Sequence, residues 1–197
     1  MSRAPDADRE SGLERLRGLL SESGGLMATL VSVPAVSDEH RGGAHLAAGA
    51  NGAVASPAIV AAEGPRAVGR RAEYELLVEA IYEGYLLHYG APRVVHVPEA
   101  DLRLLAGDQL YAIGLARLVE VGDTLAVAEL ADTITLSALA QGGGEEELAG
   151  AIWAAGARAV GWGSSEAHGR AKDLVCAQAP GAIEAMRTIA RAVPASP

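Results

Sequence analysis

Three glutamates recur every four residues in the middle of the chain, at Glu75, Glu79 and Glu83. This spacing places their carboxylates on one stripe of a helix, where they could bind a divalent metal. Carboxylate–metal bundles add a Glu-x-x-His pair on facing helices, and the sequence contains no such pair. We therefore expect a solvated glutamate face opposite the apolar residues of this helix, and we predict no metal site.

His88 and Asp108 are the other candidate groups for chemistry. Asp108 lies inside a run that is apolar almost all round, from Leu102 to Val121, where a carboxylate needs a partner, a cavity or a raised pKa. We expect it to bond a neighbouring helix, with Gly107 allowing the close approach. His88 has no recognisable nucleophile or orienting acid, so we interpret it as half-buried near a helix C-terminus. The sequence thus predicts no catalytic residue.

These residues lie on two of a series of helical patterns. Apolar residues recur at spacings of three and four, and the abundance of Ala and Leu, with no Phe, favours closely packed helices. Glycine-rich turns separate the patterns, and Asp123 is a plausible N-cap after Gly122. The predicted helices cover 72–89, 99–121, 124–141, 145–162, about 166–177 and a last one with Pro180 at its first position. Five or six such helices predict an all-α fold, an antiparallel helical bundle.

The N-terminal part of the chain differs in composition from the rest. It holds one short amphipathic stretch, ended by Gly24-Gly25, whose apolar residues are Leu13, Leu16, Leu19 and Leu20. The apolar run 26–36, interrupted by Pro34, is compatible with a strand, a short helix or a docking segment. Residues 42–70 are mostly Gly, Ala, Ser and Pro, which predicts a mobile linker. We therefore expect residues 1–70 to be a poorly ordered segment and residues 71–197 to be the helical domain.

Charge and hydropathy exclude several classes of function. The net charge is −9 and Lys172 is the only lysine, so the chain lacks the basic surface that nucleic-acid binding needs. The single cysteine, Cys176, excludes an intramolecular disulfide. No secretory signal is visible, and the apolar tracts fall short of the roughly 20 residues that span a bilayer. We expect a cytoplasmic protein without a membrane span.

Two segments carry a resemblance to a known family. Glu83-Gly84-Tyr85-Leu86-Leu87-His88, followed by Leu105-Ala106-Gly107-Asp108-Gln109-Leu110-Tyr111-Ala112, resembles part of the trans-isoprenyl (polyprenyl) diphosphate synthase family. In that family Leu-Leu-His leads into an aspartate-rich motif, and a later helix reads Leu-Ala-Gly-Asp-x-Leu. The likeness covers roughly residues 74–162 and implies an isoprenoid-synthase-like core. The residues expected to line its cavity are Glu79, Glu83, His88, Asp108 and Gln109.

The chain departs from the family at the groups that perform catalysis. Where the family has aspartates that bind Mg²⁺, the chain reads Tyr89-Gly90-Ala91-Pro92, and the nearest basic residues are Arg93 and Arg103. Because ionising a diphosphate ester requires metals and cations on the leaving oxygens, we expect no prenyltransferase activity and no cofactor. The resemblance instead implies a non-catalytic or regulatory subunit in polyprenyl diphosphate biosynthesis. Its implied partners are itself or a related helical synthase subunit, and possibly an isoprenoid diphosphate.

Three other functions are compatible with the sequence. One is a divergent active prenyltransferase, in which Glu75, Glu79, Glu83 or Asp108 supplies ligands to Mg²⁺. The second is a carboxylate-bridged metal bundle. The third is a plain helical interaction module whose likeness to the synthases is accidental.

Overall fold

A computed structural model describes residues 10–31 and 55–192. Within these ranges the chain is almost entirely helical, with a single isolated β-bridge between Val31 and Val95. The helices are α1 Gly12–Glu22, α2 Gly25–Leu30, α3 Pro57–Glu63, α4 Arg71–Tyr89, α5 Ala100–Val121, α6 Thr124–Gly142, α7 Glu146–Trp162, α8 Glu166–Cys176 and α9 Ala182–Arg191, with a short 3₁₀ turn at Pro65–Ala67. The all-α prediction is confirmed.

The centre of the fold is formed by α4, α5, α6 and α7. Helix α4 packs along α5, α6 packs along α7, and α3 lies against both α4 and α7. The core between them is mainly aliphatic, with Tyr74 and Trp153 as its largest fully buried side chains. Helices α8 and α9 form a second apolar cluster with α6 and α7, in which Met186 is fully buried. This packing determines which faces of α4 and α5 are left uncovered by the central helices.

Glycines allow α4 and α5 to approach closely. A Cβ atom on Gly84 would lie 2.9 Å from the carbonyl oxygen of Gly107, and a Cβ on Gly107 would lie 3.0 Å from that of Gly84. Further along the same contact, a Cβ on Gly114 would overlap the side chain of Ile81. The predicted role of Gly107 in close helix packing is therefore confirmed, and the order of these contacts makes α4 and α5 antiparallel.

The turn between α5 and α6 forms as its sequence predicts. Gly122 adopts the left-handed conformation, at φ +83°, and the Asp123 side chain caps α6 by accepting the Ala126 N–H at 3.0 Å. Asp123 also pairs with Arg66 at 2.6 Å and accepts a hydrogen bond from Tyr74. Burial alone would raise the pKa of Asp123, but the hydrogen bonds from Tyr74 and Ala126 and the Arg66 charge lower it below its usual value.

The last helix begins later than predicted. Gly181 adopts a left-handed conformation, at φ +88°, and serves as the N-cap of α9, so the helix begins at Ala182. Pro180 therefore lies before the cap, and its assignment to the first helical position is wrong. The predicted ends of α4, α5, α6 and α7 agree with the structure to within about two residues, a difference typical of helix ends.

Part of the region predicted to be a linker is ordered against the core. Helix α3 buries Ala58 and Ala61 against α4 and α7, and the turn after it brings Gly64 onto the backbone of Gly161. The linker prediction is wrong for residues 57–67. Alanine and glycine bury little apolar area, which suggested disorder, but their small size lets this segment pack closely against other helices. Residues 42–54 lie outside the described residues. The run 26–36 begins as the short helix α2, which buries Met27, and residues 32–36 are likewise not described.

Candidate functional site

The glutamate stripe of α4 is buried rather than solvated. The exposed fraction is 3% for Glu79 and 0% for Glu83. Helix α1 and the loop 93–97 cover this face of α4, with Leu16 and Leu20 of α1 fully buried there. The expectation of a solvated glutamate face is therefore wrong, because segments distant in sequence from the stripe fold over it.

Each buried carboxylate pairs with an arginine, and Glu83 also accepts hydrogen bonds from backbone N–H groups. The Oε1 atom of Glu83 accepts three backbone N–H groups, from Arg93 at 2.6 Å, Val94 at 2.6 Å and Val95 at 3.2 Å. Its Oε2 lies 3.3 Å from Nε of Arg93, whose Nη2 also binds Glu79 at 2.6 Å. These bonds hold the loop 93–97 on α4.

A second polar contact attaches α1 to the same stripe. Glu75 accepts the backbone N–H of Gly12 at 2.9 Å and the guanidinium of Arg15 at 2.8 Å. The hydroxyl of Ser56 donates to Glu79 at 2.8 Å, so the residues just before α3 also bond to α4. Three acidic side chains of one helix thus anchor three separate segments of the chain.

His88 and Asp108 meet on the other side of α4. The Nε2 atom of His88 lies 3.1 Å from Oδ1 of Asp108, and its ring stacks on Tyr111 with centroids 5.4 Å apart. Gly107 leaves room for this ring, since a Cβ there would lie 2.6 Å from it. The half-buried position predicted for His88 is confirmed. The expected contact of Asp108 with a neighbouring helix is also confirmed, since His88 belongs to α4, although the Asp108 side chain is 67% exposed rather than buried among its apolar neighbours in sequence.

The structure does not bring the five predicted cavity residues together. Glu79 and Glu83 share Arg93, His88 and Asp108 form a separate contact, and Gln109 is exposed on α5. A cavity of about 30 Å³, room for a water molecule or two, lies elsewhere, between α6, α7 and the segment that joins α8 to α9. The residues that line this cavity include Leu139, Leu148, Val175 and Ala182.

One side of α5 presents apolar side chains to solvent. Leu105 is 64% exposed and Val119 is 57% exposed, and Ala112 between them is exposed as well. We name this surface the α5 outer face, and its residues are Leu104, Leu105, Asp108, Gln109, Ala112, Ala116 and Val119. The run 102–121 is apolar almost all round in sequence, yet the structure leaves this side of α5 exposed. The spacing of seven residues between Leu105, Ala112 and Val119 places them on one side of a helix, and this is the sequence pattern from which the face could have been predicted.

A buried histidine joins α6 and α8. His168 lies with Nδ1 3.2 Å from the Ser164 hydroxyl and 3.5 Å from the Glu129 carboxylate. Lys172 donates to Glu129 at 2.7 Å and to Asp132 at 2.8 Å. Burial lowers the pKa of His168 below its usual value, against the opposing effect of Glu129. The sequence did not single out this cluster, because its members come from helices 40 residues apart.

Over residues 10–31 and 55–192, no group of three or more His, Cys, Asp or Glu side chains is placed to hold a metal ion. No helix in these ranges combines the length and the apolar character needed to cross a bilayer. Comparisons of the chain with models of known protein families, with curated proteins and with solved structures find no match.

Proposed function

We propose that the chain is a non-catalytic helical subunit in isoprenoid biosynthesis, which assembles with another helical chain through the α5 outer face. The observation that carries the assembly is the row of exposed aliphatic side chains, Leu105, Ala112 and Val119. The link to isoprenoid biosynthesis rests on the sequence resemblance to the polyprenyl diphosphate synthases. Its expected location is the cytoplasm.

The bonding of the α4 glutamates supports a structural role for them. The carboxylates of Glu79 and Glu83 already bind Arg93, and Glu83 satisfies three backbone N–H groups. Transfer of Glu83 to a metal ion would leave these buried donors without an acceptor, at a cost of about 1–3 kcal/mol each. The glutamates are therefore better explained as anchors for α1 and the loop 93–97 than as ligands of Mg²⁺.

The chemistry of the α5 outer face supports binding to another protein. Exposed aliphatic side chains in one row, rimmed by polar residues such as Asp108 and Gln109, are typical of the centre of a protein interface. Leu125, at the start of α6, is also 64% exposed. Single exposed leucines are common, whereas several exposed aliphatic side chains on one side of a helix are more typical of an interaction site.

Two experiments test the proposal. The purified chain should give no elongated product from an allylic diphosphate, isopentenyl diphosphate and Mg²⁺, and product formed by the chain alone would contradict the non-catalytic role. In sedimentation experiments Leu105→Glu should weaken assembly, with itself or with a polyprenyl diphosphate synthase subunit. Val68→Glu, at an equally exposed aliphatic residue outside α5, is the matched control and should leave assembly unchanged.

A plain helical interaction module is the second candidate, because the same exposed face of α5 favours it. The two candidates differ in the partner. Binding to a polyprenyl diphosphate synthase subunit that Leu105→Glu abolishes supports the isoprenoid assignment. Assembly through α5 without any such binding supports the plain module.

A further inference from the structure

We propose that Ser164 is a nucleophile that accepts an acyl group from activated esters or thioesters, with His168 as its general base. This inference goes beyond the proposed function and involves none of the residues of the α5 outer face. Three observations carry it: the contact of an exposed hydroxyl with a buried imidazole, the carboxylate beside that imidazole, and the start of α8 next to the hydroxyl.

The Ser164 hydroxyl and the His168 ring form the reactive pair. Ser164 lies in the turn between α7 and α8 and is exposed, so a dissolved acyl compound can reach its Oγ atom. Nδ1 of His168 lies 3.2 Å from this oxygen, although the His168 side chain is only 3% exposed. A base in contact with the nucleophile is the arrangement that activates a serine for attack on a carbonyl group.

The surroundings of His168 keep its ring available as a base. Burial lowers the pKa of His168, so the ring is neutral near pH 7. The charged groups that face it are Glu129 and Asp132 of α6 and Lys172 of α8. An oxygen of Glu129 lies 3.5 Å from Nδ1, the same nitrogen that Ser164 contacts. Its negative charge stabilises the imidazolium that forms when the hydroxyl gives up its proton.

The first turn of α8 can stabilise the charge that develops on the acyl group. Helix α8 begins at Glu166, two residues after Ser164. Ser165 caps the helix by accepting the N–H of His168 at 3.1 Å. The N–H groups of Glu166 and Ala167 have no acceptor in the described part of the chain. Such groups carry a partial positive charge, which is what a tetrahedral oxyanion requires.

The reaction needs no reactant other than the acyl donor. Oγ of Ser164 bonds to the carbonyl carbon while its proton passes to Nδ1 of His168. The bond from that carbon to the leaving oxygen or sulfur then breaks, and the leaving group takes the proton from His168. The products are an O-acylserine and an alcohol or a thiol.

Acetylation by p-nitrophenyl acetate tests the nucleophile. The full chain is used in a Cys176→Ala background, because the exposed thiol of Cys176 would also react. The chain should release p-nitrophenolate in a burst and gain the mass of one acetyl group, which peptide mapping should place on Ser164. Ser164→Ala should abolish both signals. Ser165→Asn is the matched control and should react like the parent, because it removes the neighbouring exposed hydroxyl but keeps a capping oxygen.

The rate of acetylation tests the base. His168→Gln should slow the burst by about a hundredfold or more, with circular dichroism showing that the helices remain. In the parent the rate should fall as the pH drops through the pKa of His168. Glu129→Gln should move the midpoint of this fall to lower pH, because the Glu129 charge raises that pKa.

Three outcomes would overturn the inference. They are the absence of a burst, equal acetylation of Ser164 and Ser165, and a rate that depends neither on His168 nor on its protonation. In each case the Ser164 hydroxyl would be only a hydrogen-bond partner of a structural histidine.

Discussion

Replacement of Glu83 by glutamine tests the role of the buried glutamates. Glu83→Gln keeps the size of the side chain but removes its charge, while its Oε1 serves three backbone N–H groups. A hydrogen bond to a charged acceptor stabilises a protein by about 1 kcal/mol more than one to a neutral acceptor. We therefore expect the free energy of unfolding to fall by about 3 kcal/mol, which for a chain of this length lowers Tm by roughly 6–12 °C.

The assay combines thermal unfolding with amide exchange. The N–H groups of residues 93–95 should exchange roughly a hundredfold faster in Glu83→Gln, since a loss of about 3 kcal/mol corresponds to two powers of ten. Glu73→Gln is the matched control, because Glu73 is exposed on the same helix, and it should change the stability by no more than about 0.5 kcal/mol. If both variants lost the same stability, or if residues 93–95 kept their protection in Glu83→Gln, the anchoring argument would fail.

Three further changes test other parts of the structure. Gly107→Ala should destabilise the chain by about 1–3 kcal/mol, because its Cβ would lie 2.6 Å from the His88 ring. The control Gly150→Ala, which has open space around it, should stabilise the chain by up to about 1 kcal/mol. Equal effects of the two substitutions in urea unfolding would contradict the close packing. Stability should fall as the pH drops below about 6.5, because His168 has a lowered pKa in the folded chain and the unfolded chain binds the proton first. In His168→Gln this fall should flatten, and an unchanged pH profile would exclude His168 as its cause. Asp123→Ala should be less stable than Asp123→Asn by about 1 kcal/mol, because asparagine keeps an N-capping oxygen, and equal melting temperatures would show that the cap contributes nothing.

Local signals in the sequence were sufficient for most helix boundaries. The break between α5 and α6 follows from Gly122, which ends one helix in a left-handed conformation, and from Asp123, which caps the next. The capping box of Ser11 with Glu14, at the start of the leucine-rich helix α1, is a signal of the same kind, although it was not among the predicted features. Such features depend on residues within one turn of each other, so a linear pattern is enough to find them.

The environment of the charged residues could not be predicted in the same way. The face of α4 that carries Glu83 looks solvated in sequence, because nothing in its spacing shows that α1 and the loop 93–97 cover it. Arg15, which binds Glu75, comes from 60 positions away. Asp108 shows the opposite error. Its neighbours in sequence are apolar, but its own side of α5 faces solvent. In both cases the outcome depends on which elements pack together, which helical periodicity does not determine.

The contact between Gly64 and Gly161 has a consequence for synthesis of the chain on the ribosome. The two glycines are nearly a hundred positions apart, and their backbones touch where α3 meets α7. At about 5–20 residues per second, α3 leaves the exit tunnel roughly 5–20 s before α7 follows it. During that interval α3 has only α4 to pack against, so one side of this alanine-rich helix stays uncovered on the nascent chain until α7 arrives.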